Sequence, residues 1–303
     1  MLIIDHPITD AQDAPTFALR AVRPGDGDAM AHVLYEAFAA IHDRHRFPRD
    51  FPTLDAAAEL VTAFTGHPMI WGVVAERDGH VIGSNFLDER SPVMGVGPIT
   101  VDPADQTRGV GRGLMQAVID RGAGAQGIRL LQDAFNVQSL GLYASLGFEV
   151  RDPVVVMGGR PAAGPGPDVD VRPLEVDDLE ECAALHRAVH GYDRSAELHD
   201  ALHVPVLDPF VAVRRGRIVA YATGTTFFAA AHGAGETDED LFAVITGALQ
   251  ATNAPASFLL PTRQTALFRA CLDAGLRVVK PMNYMTLGHY RAPAGSWFPS
   301  VLS

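Results

Sequence analysis

The stretch "QTRGVGRG" (residues 106–113) concentrates three glycines and two arginines in eight residues. It follows the apolar run "MGVGPITV" and precedes "LMQAVIDRG", so it predicts a turn from a strand into a helix. The first N–H groups of a helix lack intrahelical partners and carry partial positive charge, and glycines let a bulky anion approach them. The spacing favours a pyrophosphate nest, with Arg108 and Arg112 adding charge-assisted hydrogen bonds. The alternative is a glycine-rich turn with solvated arginines.

Two common phosphate-binding patterns are missing from this stretch. It lacks GxxxxGK[ST], which excludes a P-loop, and it lacks GxGxxG after the first strand of a βαβ unit, which argues against a dinucleotide fold. It has Gln106-x-x-Gly109-x-Gly111 instead, with "NVQSLGLYASLGFEV" (residues 136–150) downstream. These motifs resemble the acetyl-CoA signature [QR]-x-x-G-x-[GA] and the Asn…Tyr…L-G-F motif of the GNAT acetyltransferase superfamily. The resemblance covers residues 17–157 well.

The resemblance implies that acetyl-CoA is the co-substrate and that no metal is required. The turn would hold the pyrophosphate, and the strand before it would pair with the pantetheine arm, where the family splays two strands. The residues expected to contact acetyl-CoA are Ile99, Thr100, Val101, Gln106, Thr107, Arg108, Gly109, Val110, Gly111, Arg112, Gly113, Asn136, Ser139 and Tyr143. For Asn136, a helix-capping role is the alternative.

Acetyl transfer to an amine needs a deprotonated nucleophile, a stabilised oxyanion and a proton for the leaving thiolate. By the resemblance, Tyr143 is the general acid that reaches the coenzyme sulfur, and a backbone N–H near Val101 polarises the thioester. The alternative for Tyr143 is a packed aromatic. Asp88 and Glu89, at the end of a predicted strand, are candidates for the general base, although "LDER" also fits a solvated strand end.

Three further base candidates are Glu36, His42 and His45, in or just after the first predicted helix, which borders the acceptor site in this family. A water chain is a further alternative. "HDRH" also has the spacing of a metal-binding histidine pair, but nothing in the sequence completes a ligand set.

Composition limits the function classes. The 303 residues carry a formal net charge of −12, which argues against binding nucleic acid. There is no apolar run of transmembrane length and no signal-peptide pattern, so we expect a soluble, cytoplasmic protein with no membrane partner. Cys182 and Cys271 lie in apolar helical contexts and are expected to be buried thiols. Lys280 is the only lysine, and the sequence alone assigns it no function.

The order of elements repeats on either side of a segment rich in Gly and Pro. We therefore predict an α+β fold, or mixed α/β, of two tandem GNAT-like domains, each a mixed, mostly antiparallel sheet flanked by helices. The predicted divisions are an N-terminal extension (1–16), a catalytic acetyl-CoA-binding domain (17–157), a linker (158–168), a degenerate second domain (169–290) and a C-terminal tail (291–303). In the tail, Trp297 and Phe298 are expected to anchor on the core or on a partner subunit.

The second copy acts as an internal control. Aligning its helix-ending glycine on that of the first copy puts Cys271 at the place of Tyr143 and Gln264 at the place of Asn136. The segment facing the phosphate turn carries four carboxylates, which oppose anion binding. The second copy is therefore predicted not to bind acetyl-CoA, but to pack on the first and help shape the acceptor cleft.

The sequence thus predicts an acetyl-CoA-dependent N-acetyltransferase that acts on a primary amine. The acidic charge favours a small cationic acceptor, such as a polyamine or an aminoglycoside, and family analogy suggests a homodimer. One alternative is a non-catalytic acetyl-CoA sensor, against which the retained Tyr143 argues. The other is a structural or interaction protein in which both copies have lost function, against which the retained motif residues argue. The acceptor's identity and the length of the acyl group stay open.

Overall fold

The computed structural model describes residues 17–302; the predicted extension, residues 1–16, lies outside them. The helices are α1 (Gly27–His45), α2 (Leu54–Gly66), α3 (Val110–Arg121), α4 (Val137–Ser145), α5 (Leu179–His190), α6 (Ser195–Ala201), α7 (Asp238–Thr252) and α8 (Thr265–Asp273). The strands are β1 (Ala18–Ala21), β2 (Ile70–Arg77), β3 (His80–Asp88), β4 (Val93–Val96), β5 (Thr100–Val101), β6 (Gly127–Asp133), β7 (Glu149–Gly159), β8 (Asp170–Pro173), β9 (Phe210–Arg214), β10 (Arg217–Ala222), β11 (Gly233–Gly235), β12 (Ala256–Pro261), β13 (Arg277–Gly288) and β14 (Ser296–Phe298).

These strands form two sheets. The nine-stranded sheet has the order β1-β2-β3-β4-β6-β13-β7-β12, with β5 paired to β3, and the five-stranded sheet has the order β14-β11-β10-β9-β8. Within residues 17–302, β4 and β6 form the one parallel pair, and the other paired neighbours are antiparallel. The arrangement confirms the predicted fold class of mostly antiparallel sheets flanked by helices.

Strands from the two halves of the chain alternate in the larger sheet. β7, which ends the first half, pairs with β12 and β13 of the second half, while β13 also pairs with β6 of the first. Met282 of β13 consequently lies between Asp133 of β6 and Val154 of β7. The segment predicted as a linker, 158–168, begins within β7, whose last two residues, Gly158 and Gly159, pair with β12 of the second half, and it ends before β8. A strand of the second half therefore borders the first half's site.

The helices of the first half cover opposite faces of the larger sheet. Side chains alternate along a strand: Val73 packs in the core that contains Leu114 of α3, whereas its neighbour Val74 packs in the core of α1 and α2 with Met30. Burying each such side chain contributes about 1.5–3 kcal/mol. The two apolar faces thus fix α3 and α4 on one side of the sheet and α1 and α2 on the other.

The C-terminal tail anchors on the second half of its own chain. β14 pairs with β11, and the side chains of Trp297 and Phe298 are buried. Cys182 and Cys271 are buried and not disulfide-bonded, as predicted. Among the described residues, no helix has the length and apolar character needed to cross a membrane.

Candidate functional site

A cleft opens in the larger sheet where two neighbouring strands diverge. β4 pairs with β6 from Val93 to Gly95, but after a bend at Gly97, whose φ is +132°, β5 pairs with β3. β6 continues alone on this side to Asp133. The facing edges of β5 and β6 border a cleft of about 520 Å³. Unpaired strand edges offer backbone groups to an extended ligand that carries amides.

The glycine turn lies at one mouth of this cleft, at the N-terminus of α3. Gly109 is the N-cap residue and adopts φ +83°, a conformation that glycine adopts without strain. The first helical hydrogen bond is donated by Gly113 N–H to Gly109 O (3.0 Å). The N–H groups of Val110, Gly111 and Arg112 therefore precede the hydrogen-bonded ladder and are open to an anion. These features fit the pyrophosphate of a coenzyme A thioester.

Most of the predicted contact residues lie along the cleft. Those that line it are Ile99, Thr100, Val101, Gln106, Thr107, Gly109, Gly111, Arg112, Asn136, Ser139 and Tyr143. Three do not line it. The Arg108 side chain is exposed beside Asp105, and Val110 is buried in the core. The N–H of Gly113 belongs to α3, and a Cβ at this position would lie 3.1 Å from Phe17. Gly113 is therefore a packing residue.

Asn136 caps α4, the alternative role that the sequence left open for it. Its Oδ1 accepts a hydrogen bond from the N–H of Ser139 (3.2 Å). The Ser139 hydroxyl donates to Asn136 O (2.9 Å) and accepts from Gln132 Nε2 (3.0 Å). Both residues still line the cleft, so the group that Asn136 has available for a ligand is its amide NH₂.

Tyr143 lies on α4 with its side chain buried against the cleft. Burial raises the pKa of its phenol above the ordinary value, and the negative charge of Asp133 raises it further. The phenol is therefore protonated at neutral pH, which is the state that a proton donor to a leaving thiolate must have.

The structure places Asp88 and Glu89 away from the cleft. Asp88 is 2% exposed, and its carboxylate accepts hydrogen bonds from Nε and Nη2 of Arg90, whose Nη1 donates to Asp200 (3.0 Å). Glu89 accepts two hydrogen bonds from Arg121 (2.6 and 3.0 Å). Both carboxylates are held in ion pairs and neither lines the cleft, so we no longer treat them as base candidates.

Sequence reasoning missed a buried ionic cluster, which we call the floor cluster: His42, Asp50, Asp133 and Lys280. Nζ of Lys280 lies 2.7 Å from Asp50 Oδ2, 2.8 Å from Asp133 Oδ1 and 3.2 Å from His42 Nε2. Nδ1 of His42 donates to Phe38 O (2.8 Å), which directs Nε2 towards the cluster. Of the three candidates on α1, only His42 takes part, because the Glu36 and His45 side chains are exposed. The feature of the sequence that could have pointed to this cluster is Lys280, the single lysine of the chain.

The charges of the floor cluster oppose the effect of burial. Burial alone would lower the pKa of His42, but its contact with Asp50 outweighs this and raises it. Burial likewise would raise the pKa of Asp50, but His42 and Lys280 lower it below the ordinary value. For Asp133, burial prevails and raises the pKa, assisted by the charge of Asp50 and opposed by Lys280. Of the two carboxylates of the floor cluster, Asp133 therefore takes up a proton more readily than Asp50.

The corresponding region of the second half is filled by its own chain. β14 pairs with the edge of β11 and contacts β12. At the N-terminus of α7, Thr237 caps the helix, and Asp240 pairs with Arg214 (2.6 Å). Carboxylates therefore stand where the first half offers unoccupied N–H groups, in agreement with the predicted difference between the copies.

The model of the acetyltransferase (GNAT) family matches residues 30–148. Three solved structures share the fold of nearly the whole chain. An inferred acetyltransferase from Pyrococcus horikoshii is 14% identical with a TM-score of 0.71, covering 99% of each chain. A GCN5-related N-acetyltransferase from Sphaerobacter thermophilus is 17% identical (TM-score 0.60; 91% of this chain, 97% of that one). A tandem GNAT protein from the clavulanic acid biosynthesis pathway is 12% identical (TM-score 0.58; 94% and 99%). No curated protein matches the chain significantly.

Proposed function

Because residues 30–148 match the model of the acetyltransferase (GNAT) family, we propose that the first half of the chain binds acetyl-CoA and transfers the acetyl group to a primary amine. The observation that carries the proposal is a single cleft with the glycine turn of α3 at one mouth and Tyr143 along its wall. The open N–H groups at the turn suit a pyrophosphate, and the edges of β5 and β6 suit the amides of the pantetheine arm.

The proposed reaction forms a C–N bond and breaks a C–S bond. The neutral amine attacks the thioester carbonyl carbon, and the negative charge that develops on the oxygen is stabilised by backbone N–H groups of the cleft. When the intermediate collapses, the thiolate leaves and takes up a proton through Tyr143. The attacking nitrogen loses one proton before the attack and a second one during it, and the second balances the proton that the thiolate receives.

We propose that the second half does not bind acetyl-CoA, for two independent reasons. β14 lies on the strand edge that the pantetheine arm would need, and Asp240 and its acidic neighbours lie at the helix N-terminus that the pyrophosphate would need. The second half instead contributes residues to the first half's cleft, including Phe228 and Met282. A homodimer and a cytoplasmic location remain predictions.

The first experiment is a calorimetric titration of acetyl-CoA into the full chain and into Gly109→Glu. The introduced side chain would place a carboxylate at the anion nest, so we expect one site per wild-type chain and none in the variant. Gly79→Glu is the matched control, because Gly79 has a similar φ (+79°) and, like Gly109, has nothing within 4 Å of an added Cβ. It lies in the β2–β3 hairpin, outside the cleft, and should bind as wild type does.

Four other results would each change the proposal in a different way. Two sites per chain would contradict the assignment of the second half, and equal losses in both glycine variants would trace the effect to backbone strain. No binding to the wild type would overturn the proposed function. Binding without acetylation of any amine would favour the alternative, a non-catalytic acetyl-CoA sensor.

A further inference from the structure

The cleft passes through the larger sheet and ends at the floor cluster. On β6, Gln132 bonds to Ser139 of α4 on one face of the sheet, whereas its neighbour Asp133 contacts His42 of α1 on the other (3.7 Å). The glycine turn is on α3, which shares the face of α4. A ligand whose phosphates lie on the turn and whose arm enters between β5 and β6 therefore points its free end towards the α1 face. The acceptor must approach from that face.

Resting on the proposed function, we infer that the floor cluster is the acceptor-amine subsite, that Asp133 is the catalytic base, and that the acceptor is a primary amine on an apolar stem. Lys280, supplied by the second half of the chain, is a positioning residue for the two carboxylates. The geometry, the charge of the cluster and the walls of the chamber each support this assignment.

The two carboxylates of the floor cluster line the cleft, whereas His42 and Lys280 lie behind them. Asp50 and Asp133 line the cleft with side chains 13% and 11% exposed, whereas Lys280 is 2% exposed and His42 is fully buried. Oδ1 of Asp133 is buried and lies 2.8 Å from Lys280 Nζ, whereas Oδ2 lies 3.7 Å from His42 Nε2. Lys280 thus holds one oxygen of the carboxylate from behind, and an amine that enters the cleft would approach the part of Asp133 that lines it.

The charge of the cluster suits an ammonium ligand. Two carboxylates and one lysine ammonium sum to −1 when His42 is neutral, and a cation arriving from the cleft meets the carboxylates first. Lys280 keeps the carboxylates ionised beside one another, which two buried like charges otherwise resist. The raised pKa of Asp133, which is faced by Asp50, His42, Lys280 and Tyr143, is consistent with its acting as a base at neutral pH.

The chamber walls indicate what carries the amine. Most side chains that line the cleft from α1, the second half and the tail are apolar: Phe38 and Ile41 from α1, Phe228 and Met282 from the second half, and Val301 from the tail, with Arg44 of α1 as the charged exception. An apolar lining with one ionic floor fits a single ammonium on an aliphatic or aromatic stem. A polyamine or an aminoglycoside would bring further cations against these walls without partners, at a desolvation cost.

In the step assigned here, Asp133 takes one proton from the acceptor ammonium. The ammonium becomes a neutral amine, whose lone pair attacks the thioester carbon, and the carboxylate becomes a carboxylic acid. That proton then leaves to solvent, so Asp133 is regenerated in each turnover. The departing thiolate takes up a proton through Tyr143, and the second proton lost by the nitrogen balances that proton.

The test measures CoA release by the full chain with phenethylamine, spermidine and kanamycin. We expect kcat/KM to be at least about tenfold higher for phenethylamine, since its ring is buried against the apolar walls. Asp133→Asn should lower kcat/KM for phenethylamine by about 10²–10⁴-fold and abolish the acid limb of its pH profile, with the Kd for acetyl-CoA unchanged. Asp120→Asn, an exposed aspartate on α3, is the matched control and should behave as wild type.

Lys280 is tested by charge balance. Lys280→Met leaves two neighbouring carboxylates uncompensated, so the pH profile should shift to higher pH and kcat should fall. The double variant Lys280→Met/Asp50→Asn restores the net charge and should regain part of kcat, which a merely packed lysine would not explain. If Lys280→Met is poorly folded by thermal melting, the double variant alone carries the comparison with Asp50→Asn.

The following results would each contradict one part of the inference. Asp133→Asn within threefold of wild type would overturn the base assignment, and preference for spermidine or kanamycin would overturn the apolar-stem acceptor. Equal kcat values and pH profiles for Asp50→Asn and the double variant would remove the positioning role of Lys280. A wild type that binds acetyl-CoA but acetylates none of the three amines would contradict the proposed function itself.

Discussion

Gln264 holds the backbone of Trp297 at both of its polar groups. Its Nε2 donates to Trp297 O (2.6 Å), and its Oε1 accepts from Trp297 N–H (2.7 Å). Gln264 is the N-cap residue of α8, as Asn136 is of α4. In the second half, then, the chain's own strand β14 takes the position between β11 and β12 that the first half leaves open between β5 and β6. The side chain of Gln264 thus binds the backbone amides of the tail, just as we propose that polar groups of the first half's cleft bind the amides of the pantetheine arm.

We predict that Gln264→Leu destabilises the protein by about 1–3 kcal/mol. Leucine is similar in size but leaves a backbone N–H and a C=O of β14 without partners in a buried position. The change is measured as a shift in the midpoint of chemical unfolding. Gln116→Leu is the control, because the Gln116 side chain is exposed on α3 and bonds only to Asp120 within the described residues. Equal effects in the two variants would show that β14 does not depend on this contact.

The sequence was most informative where function depends on neighbouring residues. The turn around Gly109, the helix that follows it and the placement of Tyr143 along the cleft all come from local patterns, because strand, turn and helix signals extend over a few residues. The capping role of Asn136 was likewise foreseen as an alternative, since Asn at a helix start is a local signal.

The floor cluster depends on contacts that no local pattern encodes. Lys280 and Asp50 are 230 positions apart, and they meet because β13 lies beside β6 in the sheet of the first half. Two similar copies of one unit have similar strand patterns, so the sequence does not indicate which copy of a strand pairs with which neighbour. For the base candidates Asp88 and Glu89, the sequence likewise did not indicate that Arg90 and Arg121 bind them away from the cleft.

Tyr143→Phe should lower kcat by about 10²–10⁴-fold and leave the Kd for acetyl-CoA unchanged. The variant removes the hydroxyl and keeps the packing of the ring. Because burial raises the pKa of this phenol, the alkaline limb of the wild-type pH–rate profile should not fall at or below pH 10 through Tyr143. Steady-state kinetics together with calorimetry measure both effects. A variant with full kcat would reduce Tyr143 to a packing residue.

Three buried histidines of the second half should make stability depend on pH. Burial lowers the pKa of His186, His190 and His232 well below 6.5, and the nearby guanidinium of Arg194 adds to this. Below the unfolded pKa of about 6.5, the unfolded state binds more protons, so stability falls as pH falls, by up to about 1.4 kcal/mol per pH unit for each histidine. His42, whose folded pKa is raised, acts in the opposite direction.

The pH effect is checked by following the unfolding midpoint between pH 8 and pH 5. We expect it to decrease below pH 6.5, and a variant such as His232→Phe to flatten that decrease even where it changes stability at pH 8. His45→Phe, at an exposed position on α1, is the control and should leave the slope unchanged. A midpoint that does not depend on pH in this range would mean that these histidines stay protonated or accessible in the folded state.

Asp88→Asn separates a structural carboxylate from a catalytic one. The Asp88–Arg90 pair is buried, and Arg90 also reaches Asp200 in the second half, so removing one charge should destabilise the protein by about 3–5 kcal/mol. Glu89→Gln breaks a more exposed pair with Arg121 and should cost less than about 1 kcal/mol. In both variants, kcat of the folded protein should stay within twofold of wild type. A kcat reduced a hundredfold in a stably folded Asp88→Asn would return this residue to the role of base, and would require the carboxylate to leave Arg90 during turnover.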